Sequence, residues 1–322
     1  MVDCVPIEKG LRRAEDILRE GGLVAVPTET VYGLAARADD TAAVARIYAA
    51  KGRPPHNPLI VHVDGRDMAV RYADVSPLAE RMMDAFWPGP LTLVLPLRES
   101  AGLAPAVTAG LATLALRQPK GVMADLAGLL GVPIAAPSAN TSGRLSPTTA
   151  SHVVDDLGDA VDLVLDGGAC DVGLESTILK VDGDELILLR EGGATIEAIE
   201  AVFGGEVLRP QGEAKIEAPG QLLAHYAPRK PLRLNADRAD PDEGWLVLGA
   251  APDHAGPMQN LSPSGNLQEA AHNLFAMLKA LDEGPARRLA VQPIPTEGLG
   301  AAINDRLARA AHGSNLSEGE EV

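Results

Sequence analysis

The sequence predicts a mixed α/β protein built as two units, a large one followed by a smaller one. Three observations carry this. The chain has 322 residues, more than a single ordinary core accommodates. Over roughly its first 200 residues, helix-period segments alternate with short apolar runs rich in branched residues. That pattern then dissolves near Gln211 and resumes near Leu232 as strand, helix, strand, helix.

Taken in order, EKGLRRAEDILREGG sets Leu11, Ala14, Ile17 and Leu18 at helical spacing and stops at Gly21 and Gly22. LVAVPT (23–28) reads as a buried strand. TAAVARIYAAKG (41–52) is a helix that Gly52 ends and that Pro54 and Pro55 forbid from continuing. NPLIVHV (57–63) is a strand, and SPLAERMMDAF (76–86) is a helix with Ser76 as N-cap and Pro77 in its first position. LTLVLPL, ATLALRQ, VPIAAP, DLVLDGG, STILKV and ELILLR follow as strands. The large unit is expected over 1–210, and a long linker over 211–231. A small parallel α/β unit is expected over 232–313, with WLVLGA, NLQEAAHNLFAMLKALDEG, RRLAVQPI and NDRLARAAHG as its elements. Residues 314–322 read as an acidic, disordered tail.

Composition excludes several classes of function. The chain is 46% apolar and 22% charged, as folded proteins are, and carries 28 basic against 44 acidic residues, a net charge of −16. General, tight binding to a phosphate backbone is disfavoured by that balance. Cys4 and Cys170 stand far apart, so neither a disulfide framework nor a cysteine-built zinc site organises the fold. No apolar run approaches the length of a membrane span and no leader pattern opens the chain, which is read as cytoplasmic. Gly-Lys occurs nowhere, which removes a Walker A loop; GxGxxG, HExxH and EF-hand patterns are absent as well.

What remains is a set of cations and small polar residues at the ends of elements. Lys51 and Arg53 flank a Gly-Pro turn, with Asn57 four residues on. Basic residues at a helix C-terminus also answer the macrodipole, so two readings stand: dipole partner, or half of an anion site. In ATLALRQ, Thr113, Ala115 and Arg117 face one side, with Thr113 and Arg117 about 13 Å apart on that face. His62 lies in an apolar strand and suits a satisfied core histidine as well as a ligand. A buried strand runs into SANTSG, and Ser146-Pro147 then marks the N-cap of the next helix. Ser138 and Ser146 also suit an anion nest that needs no Walker motif. Ser176-Thr177 precede a strand, and Arg190 ends one before Gly192-Gly193. Together Lys51, Arg53, Arg117 and Arg190 describe a cationic cavity in an acidic chain, suited to a small anionic ligand.

These residues, Thr113 apart, lie within stretches that resemble the YrdC-like family, specifically its long, two-domain threonylcarbamoyl-AMP synthase form. The stretches are PTETVYGLAA (27–36), KGRPPHNPLIVHV (51–63), FWPGPLTLVLP (86–96), LALRQP (114–119), PSANTSGRLSPT (137–148), GLESTI (173–178), LLREGG (188–193), HYAP (225–228) and GLGAAINDRLARAA (298–311). The last two distinguish the long form. The resemblance implies a YrdC-like twisted mixed sheet around a cationic cavity, followed by a small Rossmann-like parallel domain.

It also implies a reaction. L-threonine and bicarbonate give an N-carboxylated threonine that attacks the α-phosphate of ATP with Mg2+ assisting, forming L-threonylcarbamoyladenylate and diphosphate. A separate transferase complex then modifies adenosine 37 of tRNAs reading codons that begin with A. By match of position, the resemblance gives Thr30, His62, Arg117 and Ser176 to threonine. It gives Arg53, Asn57, Thr113, Ser138, Ser146, Arg190 and Tyr226 to ATP, with Lys51 and Arg53 as electrostatic contributors. The linker with His225-Tyr226 is expected to act as a lid, and Gln221 stands where the family often has Met. Three rival readings stand beside it: an RNA-binding module, a carbamoyl-phosphate-handling relative, and a Ser138–His62 hydrolase. Net charge disfavours the first. The second lacks its preceding domains, and the third lacks a positioned carboxylate.

Overall fold

The computed structural model describes residues 2–210, 218 and 225–316. The chain divides into two compact units. The first holds residues 1–142, 147–170 and 175–221, and the second holds 143–146, 171–174 and 222–322. Most of the expected linker, Gln221 and the tail from 317 onward lie outside the described residues.

Among the described residues the first unit is built on ten strands: β1 (Cys4–Pro6), β2 (Val24–Val26), β3 (Gly33–Arg37), β4 (Ile60–His62), β5 (Leu91–Pro96), β6 (Thr113–Arg117), β7 (Ile134–Ala135), β8 (Leu163–Asp166), β9 (Thr177–Asp182) and β10 (Glu185–Arg190). They form one sheet in the order β1-β8-β2-β3-β7-β4-β6-β5-β9-β10. Pairing is mixed: β4 with β6 and β5 with β9 are parallel, whereas β5 with β6 and β9 with β10 are antiparallel. The mixed α/β expectation therefore holds.

Helices α1 (Ile7–Arg19), α2 (Thr41–Lys51), α3 (Arg66–Ala69), α4 (Pro77–Phe86), α5 (Pro105–Thr108), α6 (Val122–Leu130), α7 (Ala150–Leu157) and α8 (Ile196–Phe203) belong to this unit. Local chemistry sets their ends. Asp40 caps α2 by accepting from Ala42 and Ala43 N–H, and Gly52 closes it at φ 58°. Ser76 caps α4 through Ala79 N–H at 3.2 Å, as the sequence predicts. Ser146 does not cap a helix. Thr149 caps α7, accepting from His152 N–H at 3.4 Å. The reason lies upstream: Tyr32 N–H donates to the Pro147 carbonyl at 2.9 Å, which engages the residues after Ser146 in a distant pairing before the helix starts.

The alternation of β6 sorts its side chains as the sequence predicts. Leu114 and Leu116 enter the main core with Leu91, Leu93 and Leu95 of β5. Ala115 joins a separate apolar cluster with Ile60, Val94, Ile178 and Ala218. That second face of the central strands carries His62 and Arg117 beyond the apolar patch.

The second unit is a four-stranded, wholly parallel sheet of β11 (Leu232–Arg233), β12 (Glu243–Val247), β13 (Met258–Asn260) and β14 (Arg288–Val291), in the order β11-β14-β12-β13. Helix α9 (Leu267–Glu283) follows β13, with Asn266 as N-cap, and α10 (Leu299–Leu316) follows β14. Buried Leu274, Phe275, Leu278 and Leu281 line one side of α9 at helical spacing. Among the described residues no helix is long and apolar enough to cross a membrane.

Candidate functional site

The site face of the first unit is organised around Arg117, the last residue of β6. Parallel pairing of β4 with β6 puts His62 directly opposite it. Its guanidinium is buried and held on three sides. Nε donates to the Gly89 carbonyl at 3.1 Å, Nη1 donates to Thr30 Oγ1 at 2.9 Å, and Nη2 lies 2.7 Å from Glu29 Oε2. The 28–31 turn that presents Thr30 is fixed from within. Thr28 Oγ1 accepts from Thr30 N–H at 3.1 Å and Val31 N–H at 3.2 Å, and lies 2.8 Å from Thr30 Oγ1.

A second centre forms around Ser176, just before β9. Thr92 Oγ1 and Ser176 Oγ are 2.7 Å apart. Arg190 reaches the same residue from β10, donating from Nη2 to Ser176 Oγ at 3.1 Å and from Nη2 and Nε to its carbonyl at 2.8 and 3.1 Å. Arg190 points there because the β9–β10 register slips between Leu188 and Arg190, a bulge that re-aims the strand end. Gly192 then passes against the 175–177 backbone so closely that a Cβ would stand 2.3 Å from the Ser176 carbonyl carbon. The 89–90 turn joins the two centres: Gly89 O takes Arg117, and Pro90 O accepts from Thr177 N–H at 2.9 Å.

Lys51 and Arg53 lie close enough for their charges to interact, and each donates to backbone carbonyls. Lys51 is fully buried and donates its ammonium to the Ser138 carbonyl at 2.6 Å and to the Asn140 carbonyl. Burial and the nearby Arg53 charge hold its pKa well below the ordinary lysine value. Arg53 instead donates to the carbonyls of Asn57 at 3.1 Å and Pro58 at 2.6 Å. Both cations thus brace loops with backbone contacts: Lys51 the strand-end segment at 138–140, Arg53 the turn that carries Asn57. Ser138 is half-buried beside Gly33, and Thr113, at the opposite end of β6 from Arg117, is half-exposed.

Polar atoms left without a hydrogen-bond partner mark where a ligand is wanted. Among the described residues of the first unit, these include both amide atoms of Asn57, His62 Nδ1, Arg117 Nη2 and Glu29 Oε1, all of them buried. Burial and the Arg117 charge push the His62 imidazole down to about 3, so it is neutral at physiological pH. Among the described residues no group of three or more His, Cys, Asp or Glu side chains is placed to hold a metal ion.

Ser146 and Tyr226 belong to the second unit. Ser146 is buried at the end of the 143–146 segment, whose Gly143 carbonyl accepts from Ala227 N–H at 2.8 Å. Tyr226 is buried with φ at 62°. Its ring lies 5.6 Å from that of Phe275 and under the Arg306 guanidinium at 5.1 Å.

Sequence reasoning missed Glu29 and Thr92. Glu29 lies inside the quoted stretch 27–36, so its signal was in view, but its ion-pair partner is 88 positions away. Thr92 lies in a strand that reads as uniformly apolar.

Comparison with known proteins places the whole chain. The family model described as "Telomere recombination" (Sua5, YciO and YrdC) matches residues 16–192, and that of the threonylcarbamoyl-AMP synthase C-terminal domain matches 194–312. A Bacillus subtilis protein named threonylcarbamoyl-AMP synthase is 40% identical, over 94% of this chain and 93% of its own. A namesake from Pyrococcus abyssi is 38% identical over 94% of each. The crystal structure of P. abyssi Sua5 complexed with L-threonine superposes with a TM-score of 0.88 at 35% identity, covering 98% of both chains.

Proposed function

The chain belongs to the Sua5–YciO–YrdC family, and on that premise we propose that it condenses L-threonine, bicarbonate and ATP into L-threonylcarbamoyladenylate, releasing diphosphate and water. The observation that carries this reading is the group of buried, unfilled polar atoms on Arg117, His62, Glu29 and Asn57, in a chain that covers nearly all of a relative solved with L-threonine.

In this reading Thr30, His62, Arg117 and Ser176 take L-threonine. Arg117 offers its unfilled Nη2 to the amino acid carboxylate, and neutral His62 offers a lone pair or an N–H without adding charge. ATP falls to Arg53, Asn57, Thr113, Ser138 and Arg190, with the loop braced by Lys51. Ser146 and Tyr226 keep the ATP role that the resemblance gives them. Mg2+ enters as part of the nucleotide substrate, where phosphate oxygens hold it. The chemistry needs no enzyme nucleophile: a carbamate oxygen attacks the α-phosphorus and diphosphate leaves. Fixed cations answer the charge that shifts during transfer.

The product is an acyl-adenylate, which hydrolyses readily and suits rapid hand-over to a separate transferase acting on adenosine 37 of tRNA. The net charge of −16 supports hand-over without tight tRNA binding by this chain. The deciding experiment measures diphosphate release from ATP, Mg2+ and bicarbonate, with L-threonine, L-serine, L-valine or no amino acid. Threonine-dependent release, with the adenylate seen by mass spectrometry, is the expected result. ATP left intact with every amino acid would overturn the reading.

A further inference from the structure

Glu29 pairs with Arg117, and neither the resemblance nor the proposed chemistry gives it a role. It is 7% exposed and Arg117 is 3% exposed. A bare buried guanidinium would suffice to bind a carboxylate, and a carboxylate beside it weakens that attraction. A buried pair is also a poor source of stability by itself, since desolvation cancels much of the Coulomb gain. Its presence here calls for another account.

The pairing is incomplete in a particular way. Glu29 Oε2 is occupied by the Lys120 N–H, from which it accepts at 3.2 Å, and its 2.7 Å contact with Arg117 Nη2 is an ion pair without hydrogen-bond geometry. Glu29 Oε1 is buried and has no hydrogen-bond partner. Arg117 Nη2, although within ion-pair distance, is likewise without a hydrogen-bond partner. The site therefore presents an unfilled donor and an unfilled acceptor of opposite charge on two side chains in contact. A zwitterion supplies the complement of both, a carboxylate for the guanidinium and an ammonium for the carboxylate. A simple anion would leave Glu29 Oε1 empty and next to a like charge.

We propose that Glu29 binds the α-ammonium group of the amino acid substrate through Oε1, so that Arg117 and Glu29 together read both ends of the zwitterion. The assignment rests on the reading that L-threonine is the substrate. It explains why an arginine site carries a buried acid, and it sets the amino nitrogen, the atom that must acquire the carboxyl group, at a fixed distance from the bound carboxylate.

The test compares two ligands on the full-length protein: L-threonine, and (R)-3-hydroxybutanoate, which keeps the carboxylate and the hydroxyl but lacks the ammonium. Wild-type protein is expected to bind threonine at least about tenfold more tightly, the scale of one charge-assisted hydrogen bond. In Glu29→Gln, threonine binding and its KM are expected to worsen by roughly tenfold or more, with (R)-3-hydroxybutanoate bound at least as tightly as by wild type and ATP affinity unchanged. Unchanged ATP affinity also reports that the variant is folded. Equal losses for both ligands would mean that Glu29 acts only by orienting Arg117, and would overturn the proposal. So would threonine binding by Glu29→Gln that matches wild type. A wild-type protein that binds both ligands equally overturns it without any variant. Absence of threonine binding by the wild type would instead sink the substrate reading itself, and the assignment with it.

Discussion

His62 stands directly opposite Arg117 in the parallel pairing of β4 and β6, a neutral imidazole beside a buried guanidinium. Burial contributes most to keeping the ring unprotonated, and the Arg117 charge adds to it. The consequence for stability has a definite sign. The folded-state pKa of about 3 is below the ordinary histidine value of 6.5, so the unfolded chain gains a proton first as pH falls. The stabilisation is complete above pH 6.5 and is lost progressively down to about pH 3. Between pH 6.5 and 5 this one group is expected to cost about 2 kcal/mol. Denaturant unfolding at the two pH values checks it: His62→Asn should show a shallower fall than wild type. An equal fall in both would remove His62 as the cause.

Gly192 lies where the chain cannot accept a side chain. A Cβ there would sit 2.3 Å from the Ser176 carbonyl carbon and from Thr177 N, which are backbone atoms and cannot swing aside. Gly192→Ala is expected to lower stability by about 1–3 kcal/mol, as overpacking does. It should also reduce diphosphate release by more than thermal destabilisation explains, because Arg190 and Ser176 are joined across that contact. Thermal unfolding together with the turnover assay separates the two effects.

Lys51 looks from the sequence like a ligand-binding cation, yet its ammonium is committed to the Ser138 and Asn140 carbonyls. Lys51→Met would take the ammonium from both carbonyls, leaving the Ser138 carbonyl with only the Asn140 N–H. The expected cost is about 2 kcal/mol of folding stability even without nucleotide, read as a lower unfolding midpoint. A variant as stable as wild type, with only ATP affinity reduced, would return Lys51 to the ligand.

How much of this was legible follows from the range of each interaction. The two faces of β6 were readable because strand alternation is a local, period-two property, and Leu114 and Ala115 fall in different clusters as it requires. The cap at Ser76 and the stop at Gly52 are local too. Ser146 misled because its Ser-Pro signature is local, while the competing bond from Tyr32 to Pro147 is not. The aim of Arg190 depends on a register slip against β9, and the paths of Lys51 and Arg53 depend on which carbonyls the folded loops present. Helix α10 starts at Leu299, upstream of the expected start at Asn304.

Ala218 supplies the last prediction. It is fully buried against Ile60, Val94, Ala115 and Ile178, on the face of the sheet that carries His62 and Arg117. Exclusion of water from that face would matter for an acyl-adenylate. Ala218→Asp would bury a charge among the apolar side chains of Ile60, Val94, Ala115 and Ile178, which is expected to disrupt that packing. Threonine-dependent diphosphate release should continue, because no residue assigned to either substrate is altered. The adenylate, however, should accumulate to a lower level as hydrolysis overtakes it. Mass spectrometry of the intermediate over time, beside diphosphate release, reads the two quantities separately. If Ala218→Asp and Tyr226→Ala each leave the intermediate as long-lived as in wild type, neither the 211–231 segment nor its HYAP end acts as a lid.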